Sequence, residues 1–154
     1  MKRLSDLVIV LIISFLLVIP MLVISILIFF TSTSNVIFWS ERVGQLNRNF
    51  NMPKFRTMRV NTPTVATHLL RNPNMYLTPI GLFLRKSSLD ELPQLWSVLK
   101  GDMSIVGPRP ALFNQDNLIA LRKKRGVDKL KPGITGWAQV NGRDELSISA
   151  KVAL

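Results

Sequence analysis

Residues 85–110 read RKSSLDELPQLWSVLKGDMSIVGPRP, and this stretch decides how the rest of the chain is interpreted. Its apolar residues recur at three- and four-residue steps, which predicts a short helix with one apolar stripe. The stripe comprises Leu89, Leu92, Leu95, Trp96 and Leu99. Because proline fits only in the first turn of a helix, Pro93 predicts a helix start close to Asp90. Gly101 is typical of a helix end.

Two adjacent carboxylates, Asp90 and Glu91, lie at this predicted helix start, with Arg85 upstream and Arg109 downstream. Such an arrangement favours phosphate chemistry, in which one acid attacks and the other holds a metal. An alternative needs no chemistry: Ser88 and Glu91 have the spacing of a capping box, and Asp90 would then only favour the helix dipole. Both interpretations stay open on spacing alone.

The composition limits the class of function. The 154 residues are enough for one domain and an N-terminal segment. Lys and Arg outnumber Asp and Glu by 20 to 9, and the net charge of +11 predicts an anionic partner such as nucleic acid, lipid headgroups or a phosphorylated substrate. The absence of Cys excludes disulfides and thiolate metal sites. The single His68 excludes multi-His sites and His-based triads, and it is expected to be a surface or packing residue.

Residues 7–30 form an uncharged, apolar run that is long enough to cross a bilayer. The run is too long for an ordinary signal peptide and no clear cleavage site follows it. Pro20, in its middle, predicts a kink. Basic residues flank the run on both sides: Lys2, Arg3, Arg42, Arg48, Lys54 and Arg56. A re-entrant helix would keep both clusters in the cytoplasm, whereas a kinked span would satisfy only one of them.

Between this run and the acidic pair, residues 35–39 predict a strand or an interfacial segment. The basic stretch 41–59, interleaved with aromatics, favours headgroup contact or a phosphate-facing loop over binding of single-stranded nucleic acid. Residues 60–79 are turn-rich and predict a mobile loop over the site. Residues 80–85, together with the 89–99 helix, are candidates for an amphipathic segment in the bilayer interface.

The C-terminal third predicts a helix within residues 111–126, with a basic end that is solvated or touches headgroups. The following KPGITGWAQVNGR (131–143) predicts glycine turns that allow close backbone approach to a ligand, and a strand over 137–140. A second acidic pair, Asp144 and Glu145, is expected at the surface.

Three stretches together resemble a known family. KFRTM (54–58), the segment 84–110 and KPGITGWAQVNGR (131–143) are similar to the bacterial sugar transferase family, the small monotopic phosphoglycosyl transferases; Lys2-Arg3 with Asp6 also resembles its N-terminal pattern. The resemblance implies a mainly helical α/β fold. It would comprise a re-entrant membrane helix within residues 1–34, broken at Pro20, interfacial amphipathic helices, and a small cytoplasmic catalytic domain over residues 35–154.

The resemblance also implies a reaction. The family moves a sugar-1-phosphate from a UDP-sugar to undecaprenyl phosphate with release of UMP, which begins lipid-linked glycan assembly at the bacterial inner membrane. By this resemblance Asp90 would be the nucleophile that forms an aspartyl-phosphosugar, and Glu91 would hold Mg²⁺. Arg85 and Arg109 would bind substrate phosphates. Mg²⁺ suits a site made of carboxylates without His or Cys.

The chain departs from the family in two ways, and rival functions stay open. Ser34-Asn35 stands where the family usually has a Gly-Pro turn, and family members typically continue for some tens of residues beyond the point where this sequence ends. That difference leaves the core packing and one wall of the site in question. The first rival is a non-enzymatic paralogue or scaffold that keeps the motif. The second, a membrane-anchored nucleic-acid binder, rests on charge alone, and no nucleic acid partner is expected.

Overall fold

The structure, a computed structural model, describes residues 1–32, 34–63, 72–142 and 146–153 and has a mixed α/β fold that is mainly helical. The helices are α1 (Lys2–Thr31), α2 (Gly81–Lys86), α3 (Leu95–Lys100), α4 (Asp116–Lys124), α5 (Trp137–Val140) and α6 (Ile148–Ala153). The strands are β1 (Ile37–Val43), β2 (Asn49–Phe55), β3 (Ser104–Val106), β4 (Ala111–Leu112) and β5 (Gly133–Thr135). Short 3₁₀ turns cover Gln45–Asn47, Pro73–Tyr76, Leu89–Gln94 and Val127–Lys129.

Helix α1 has 30 residues, most of them apolar, and little of its most apolar part is buried. Within the described ranges it is the one helix that is long and apolar enough, by length and composition, to cross a membrane. The helix continues on both sides of Pro20, which is exposed. An apolar helix that leaves most of its side chains uncovered needs an apolar environment, so α1 is suited to anchor the protein in a membrane.

The N-terminal half of α1 is fastened to the rest of the protein by polar contacts. The Arg3 guanidinium donates to the carbonyl oxygens of Val98 and Leu99, at 2.7 Å for the latter, where it meets the negative end of α3. The buried Asp6 carboxylate accepts a hydrogen bond of 2.8 Å from the Ser104 hydroxyl. These contacts account for the polar residues ahead of the apolar run.

Apolar contacts then continue along α1 in both of its halves. Val10 is fully buried in a cluster with Met52, Leu95, Val98 and Met103. Ile24 and Ile28 are buried in a second cluster with Phe55 and Leu84. Both halves of the same helix therefore lie against the α/β part of the chain.

The main sheet has the strand order β2-β1-β4, with antiparallel pairing throughout. Strands β1 and β2 pair in register from Ile37 opposite Phe55 to Val43 opposite Asn49. The strand predicted at 35–39 is therefore confirmed but extends further. The interpretation of residues 41–59 as a loop is wrong, since most of them complete this hairpin.

The predicted helix over residues 89–99 is present only in part. Leu89–Gln94 form a 3₁₀ turn and α3 begins at Leu95, because Pro93 lacks the N–H that an α-helical turn would use. Gly101 ends α3 with a φ of 102°, as predicted. The Ser88 side chain makes no capping hydrogen bond, so the capping-box alternative is wrong.

The predicted apolar stripe is confirmed for Leu95, which is buried, and is wrong for Trp96, which is 58% exposed. Val98 is fully buried in its place. The switch from 3₁₀ to α geometry at Leu95 changes the rotation per residue, and this explains why a stripe drawn on one continuous helix fails.

In the C-terminal third, α4 confirms the helix predicted within 111–126. The strand predicted at 137–140 is wrong: these residues form the short helix α5, and the strand is β5, which pairs in parallel with β3. This pairing depends on Gly107 and Gly133, because a Cβ on either glycine would collide with the backbone of the other segment. His68, Asp144, Glu145 and the central part of the predicted loop at 60–79 lie outside the described residues.

Candidate active site

The candidate site forms where the 3₁₀ turn before α3 meets strand β2. The turn carries Asp90 and Glu91, which lie side by side in the sequence and are both largely shielded from solvent. Three other elements bring cations towards them: β2 supplies Lys54, the segment after β3 supplies Arg109, and β1 supplies Arg42. The site is thus assembled from parts of the chain that are far apart in sequence.

Glu91 is held by two cations at once. Its Oε1 atom lies 2.9 Å from Lys54 Nζ and 2.8 Å from Arg109 Nη2, and Arg109 Nη1 is 3.5 Å from Oε2, so the guanidinium approaches as a fork. Burial by itself would raise the pKa of Glu91, but Lys54 and Arg109 outweigh it and lower the pKa from 4.5 to about 2. Glu91 is therefore a carboxylate throughout the physiological pH range.

Asp90 has the opposite electrostatic character. It is 8% exposed, and burial raises its pKa above the ordinary value of 3.8. Lys54 opposes that rise, the neighbouring Glu91 charge adds to it, and Arg85 opposes it again. Two adjacent acids whose pKa values are driven apart are suited to different roles, and Asp90 is the more basic of the two.

Cations exceed acids in this part of the structure. Lys54, Arg42, Arg85 and Arg109 surround the two carboxylates. Burial, followed by repulsion from Arg109, lowers the pKa of Arg42 to about 10, although Glu91 opposes this. Burial also lowers the pKa of Lys54, although Glu91 opposes this. A partly buried site with a formal excess of two positive charges is thus unfavourable unless an anion compensates it. The site is therefore electrostatically prepared for a ligand with more than one negative charge.

A cavity of about 260 Å³ opens beside this charged centre. Glu91 and Arg109 lie at its wall, and most of the other lining side chains are apolar or uncharged: Leu92, Leu95, Ile134, Thr135, Gln139 and Val140. A cavity that joins forked cations to apolar walls suits a ligand with phosphate groups at one end and a larger organic part at the other.

The donor set is compatible with Mg²⁺ when phosphates complete it. Within the described residues there is no group of three or more His, Cys, Asp or Glu side chains that could hold a metal by itself. Mg²⁺ commonly takes one or two carboxylates and fills its remaining positions with water and substrate phosphate oxygens. Glu91 supplies such a carboxylate, and its present partners are the two cations described above.

Four of the residues predicted for the site, Asp90, Glu91, Arg85 and Arg109, lie near one another in the structure. Glu91 contacts Arg109 directly, and Arg85 is close enough to Asp90 to influence its pKa. Arg85 also donates to Met58 Sδ at 3.3 Å. Pro20, predicted to break the membrane helix, lies within α1 on its exposed surface.

Two residues of the site were missed by sequence reasoning. Lys54 and Arg42 were counted only among the basic residues after the membrane run. The KFRTM motif was a signal for Lys54, since it is one of the three stretches that carry the family resemblance. For Arg42 there was no comparable signal, because its position depends on how β1 pairs with β4, where Arg42 stands opposite Leu112.

Comparison with known proteins gives a consistent result. The family model described as "Bacterial sugar transferase" matches residues 1–154. The chain is 44% identical over 121 residues to the "Uncharacterized sugar transferase EpsL" of Bacillus subtilis, covering 79% of this chain and 58% of that protein. It is 39% identical over 145 residues to the "UDP-glucose:undecaprenyl-phosphate glucose-1-phosphate transferase" of Escherichia coli K12, covering 92% of this chain and 31% of that protein.

A third relative is the "Undecaprenyl-phosphate galactose phosphotransferase" of Salmonella typhimurium, which is 39% identical over 134 residues, 75% of this chain and 27% of the relative. The chain thus spans from about a quarter to just over half of the length of these curated relatives.

Proposed function

Because the chain belongs to the bacterial sugar transferase family, we propose that it is a phosphoglycosyl transferase. In the proposed reaction it moves a sugar-1-phosphate from a UDP-sugar to undecaprenyl phosphate and releases UMP. The names of the relatives from Escherichia coli and Salmonella typhimurium support this class of reaction. The observation that carries the proposal is that four cations lie close to Asp90 and Glu91. The site therefore has more positive than negative groups.

The first half-reaction begins with the Asp90 carboxylate. One of its oxygens attacks the sugar-linked phosphorus of the UDP-sugar, and the bond from that phosphorus to the bridging oxygen breaks. UMP leaves with the bonding electron pair, and a phosphosugar remains joined to Asp90 as an acyl phosphate. Burial of Asp90 assists this attack, because a carboxylate stripped of water is a stronger nucleophile.

The cations make this attack between anions feasible. Arg109 and Lys54 both contact Glu91, and Glu91 and Arg109 line the cavity, so the two cations can also stabilise the phosphates of the nucleotide. Arg85, close to Asp90, offsets the negative charge near the reacting phosphorus. Bound Mg²⁺, held by Glu91 and by phosphate oxygens of the nucleotide, would neutralise the charge that develops on the departing phosphate.

The second half-reaction returns the enzyme to its starting state. A phosphate oxygen of undecaprenyl phosphate attacks the same phosphorus, the bond to Asp90 breaks, and the carboxylate is regenerated as the lipid diphosphate sugar leaves. One site can serve a soluble and a membrane-bound substrate because the two bind in turn. The uncovered apolar surface of α1 keeps the site at the membrane, where the lipid acceptor is concentrated.

We also propose that α1 enters and leaves the membrane on the same side. Val10 and Ile28, both buried against the α/β part, are separated by about 27 Å along a helix with a rise of ~1.5 Å per residue. In a straight span these two contacts would lie near opposite faces of the hydrocarbon core, which is ~30 Å thick. The polar α/β part would then have to enter the bilayer, whereas a helix that bends at Pro20, which lies inside α1, would avoid this cost.

Three exposed apolar side chains extend the proposed membrane surface beyond α1. Leu82, Phe83 and Trp96 are 46%, 65% and 58% exposed and belong to α2 and α3, which flank the 3₁₀ turn with the acidic pair. Aromatic side chains favour the bilayer interface. Helices α2 and α3 at the interface would hold Asp90 near the lipid headgroups, with the catalytic domain facing the cytoplasm of the bacterial inner membrane.

The reaction is tested by incubating the full chain with UDP-sugars and undecaprenyl phosphate and measuring UMP. Release that disappears in Asp90→Asn supports the transferase. The Glu41→Gln variant is the matched control, because Glu41 lies on the exposed side of β1. The absence of release from folded wild-type protein with any UDP-sugar would support a scaffold instead.

The topology is tested with single-Cys variants. Because the sequence contains no Cys, each variant has a single thiol that can be labelled. Ser5→Cys and Ser34→Cys mark the two ends of α1. A membrane-impermeant maleimide should leave both unlabelled in spheroplasts and label both in inside-out vesicles. Labelling of one position in each preparation would indicate a transmembrane span.

A further inference from the structure

Glu91, the carboxylate proposed to hold the metal, is contacted by two cations. Lys54 and Arg109 both contact Oε1 of Glu91, at 2.9 and 2.8 Å, and Arg109 also reaches Oε2 at 3.5 Å. The Lys54 and Glu91 side chains are only 14% and 11% exposed. Replacing either partner by water would therefore cost considerable free energy. A metal ion can take Oε1, the oxygen that both cations contact closely, only if at least one of these contacts is given up.

We propose that Lys54 and Arg109 compete with the metal for Glu91, so that the metal binds tightly only together with the nucleotide phosphates. This inference rests on the proposed function, which assigns the metal to Glu91. It adds that the two cations set the order and the coupling of binding. Arg109 and Lys54 thus have two alternative partners, the Glu91 carboxylate and the phosphate oxygens of a bound nucleotide.

Charge explains why the metal alone binds poorly. The four cations and two carboxylates of the site leave an excess of two positive charges. A divalent ion entering alone would double that excess in a partly buried site, where repulsion between charges is strong. A nucleotide diphosphate brings about two negative charges and removes the increase.

Geometry explains how the exchange takes place. The Arg109 fork and the Lys54 ammonium lie beside the cavity that the nucleotide is proposed to occupy, since Glu91 and Arg109 belong to its wall. Phosphate oxygens accept the same forked contact that Glu91 accepts. When the phosphates take these donors, the Glu91 oxygens become available to the metal. By thermodynamic linkage the metal must then strengthen nucleotide binding by the same factor.

The proposal predicts a gain of metal binding on removal of an active-site cation. In Lys54→Met the buried stem is retained, while one competitor and one repelling charge are lost. Without nucleotide, this variant should bind Mn²⁺ at least tenfold more tightly than wild type. UMP should tighten Mn²⁺ binding at least tenfold in wild type, and by a smaller factor in Lys54→Met.

The experiment titrates Mn²⁺ into the full chain in detergent and follows free Mn²⁺ by electron paramagnetic resonance, with and without UMP. Lys100→Met is the matched control, because it removes an exposed lysine that pairs with Asp102 away from Glu91. Lys54→Arg keeps the competing charge and should behave as wild type. Arg109→Met provides a second, independent gain of Mn²⁺ affinity if Lys54→Met fails to fold.

The outcomes separate this inference from the proposed function. If Glu91→Gln abolishes Mn²⁺ binding but neither Lys54→Met nor Arg109→Met strengthens it beyond Lys100→Met, the competition is refuted and the metal assignment stands. If Glu91→Gln binds Mn²⁺ as wild type does, the assignment of the metal to Glu91 is wrong and the inference falls with it. Stronger binding in the two variants, lost again when Glu91→Gln is added, supports the exchange.

Discussion

Replacing Glu91 with Gln should destabilise the folded protein by a predictable amount. The ion pairs with Lys54 and Arg109 lower the pKa of Glu91 from 4.5 to about 2. At ~1.4 kcal/mol per pKa unit, this shift corresponds to a contribution of about 3 kcal/mol to the free energy of unfolding at neutral pH. The side chain is 11% exposed, so solvent screening takes away little of it. Glu91→Gln removes this contribution and leaves Lys54 and Arg109 without their shared counter-charge.

The sign of the pH dependence follows from the lowered pKa. The stabilisation is complete above the unfolded value of 4.5 and is lost as the pH falls through about 2. The difference between wild type and Glu91→Gln should therefore be constant above about pH 5 and shrink towards zero at the acidic end. Asp90, whose pKa is raised, acts in the opposite direction, and it opposes folding less in Glu91→Gln because the Glu91 charge contributes to that rise.

Thermal unfolding in detergent from pH 3 to pH 7 measures this difference. At pH 7 the melting temperature of Glu91→Gln should lie about 6–12 °C below wild type, from ~2–4 °C per kcal/mol for a chain of this size. Glu41→Gln, on the exposed side of β1, should lie close to wild type. A melting temperature of Glu91→Gln within about 2 °C of wild type at pH 7 would refute the assignment of these ion pairs as stabilising.

Three further predictions test other parts of the structure. Asp6→Ala should lower the free energy of unfolding by about 1–3 kcal/mol, because the buried Ser104 hydroxyl loses its acceptor; denaturation that matches wild type would contradict this. Gly107→Ala should cost about 1–3 kcal/mol or more, because the new methyl group would collide with the Lys131 carbonyl, and a fully stable variant would contradict the close packing of β3 on β5. The rate of UMP release should fall as acidification protonates Asp90, with a midpoint above 3.8, and a midpoint at or below that value would contradict the raised pKa.

The sequence could predict those residues of the site that are close together along the chain. Asp90 and Glu91 are adjacent, and their chemistry is visible from residue type and from the motif around them. The opposite shifts of their pKa values could not be predicted, because they depend on Lys54 approaching across the fold from β2. The place of Arg42 in the site could not be predicted for the same reason, since strand pairing brings this residue near Arg109.

The fold could be predicted where one physical effect dominates. The apolar run forms a long helix, and Gly101 ends α3. Both features were predicted from the sequence and are confirmed. Two effects competed around Pro93, where helical periodicity favoured one continuous helix and the missing N–H favoured a 3₁₀ turn. At residues 137–140 the glycine turns suggested a strand to follow, but the chain forms α5 directly after β5.

The central claim is that Asp90 carries the phosphosugar between the two substrates. Its most direct test is to supply UDP-sugar labelled in the sugar-linked phosphate, omit the lipid acceptor, and map the labelled peptide. The proposed mechanism predicts label on Asp90, discharged by undecaprenyl phosphate and absent from Asp90→Asn. Label on another residue, or full turnover by Asp90→Asn, would contradict it.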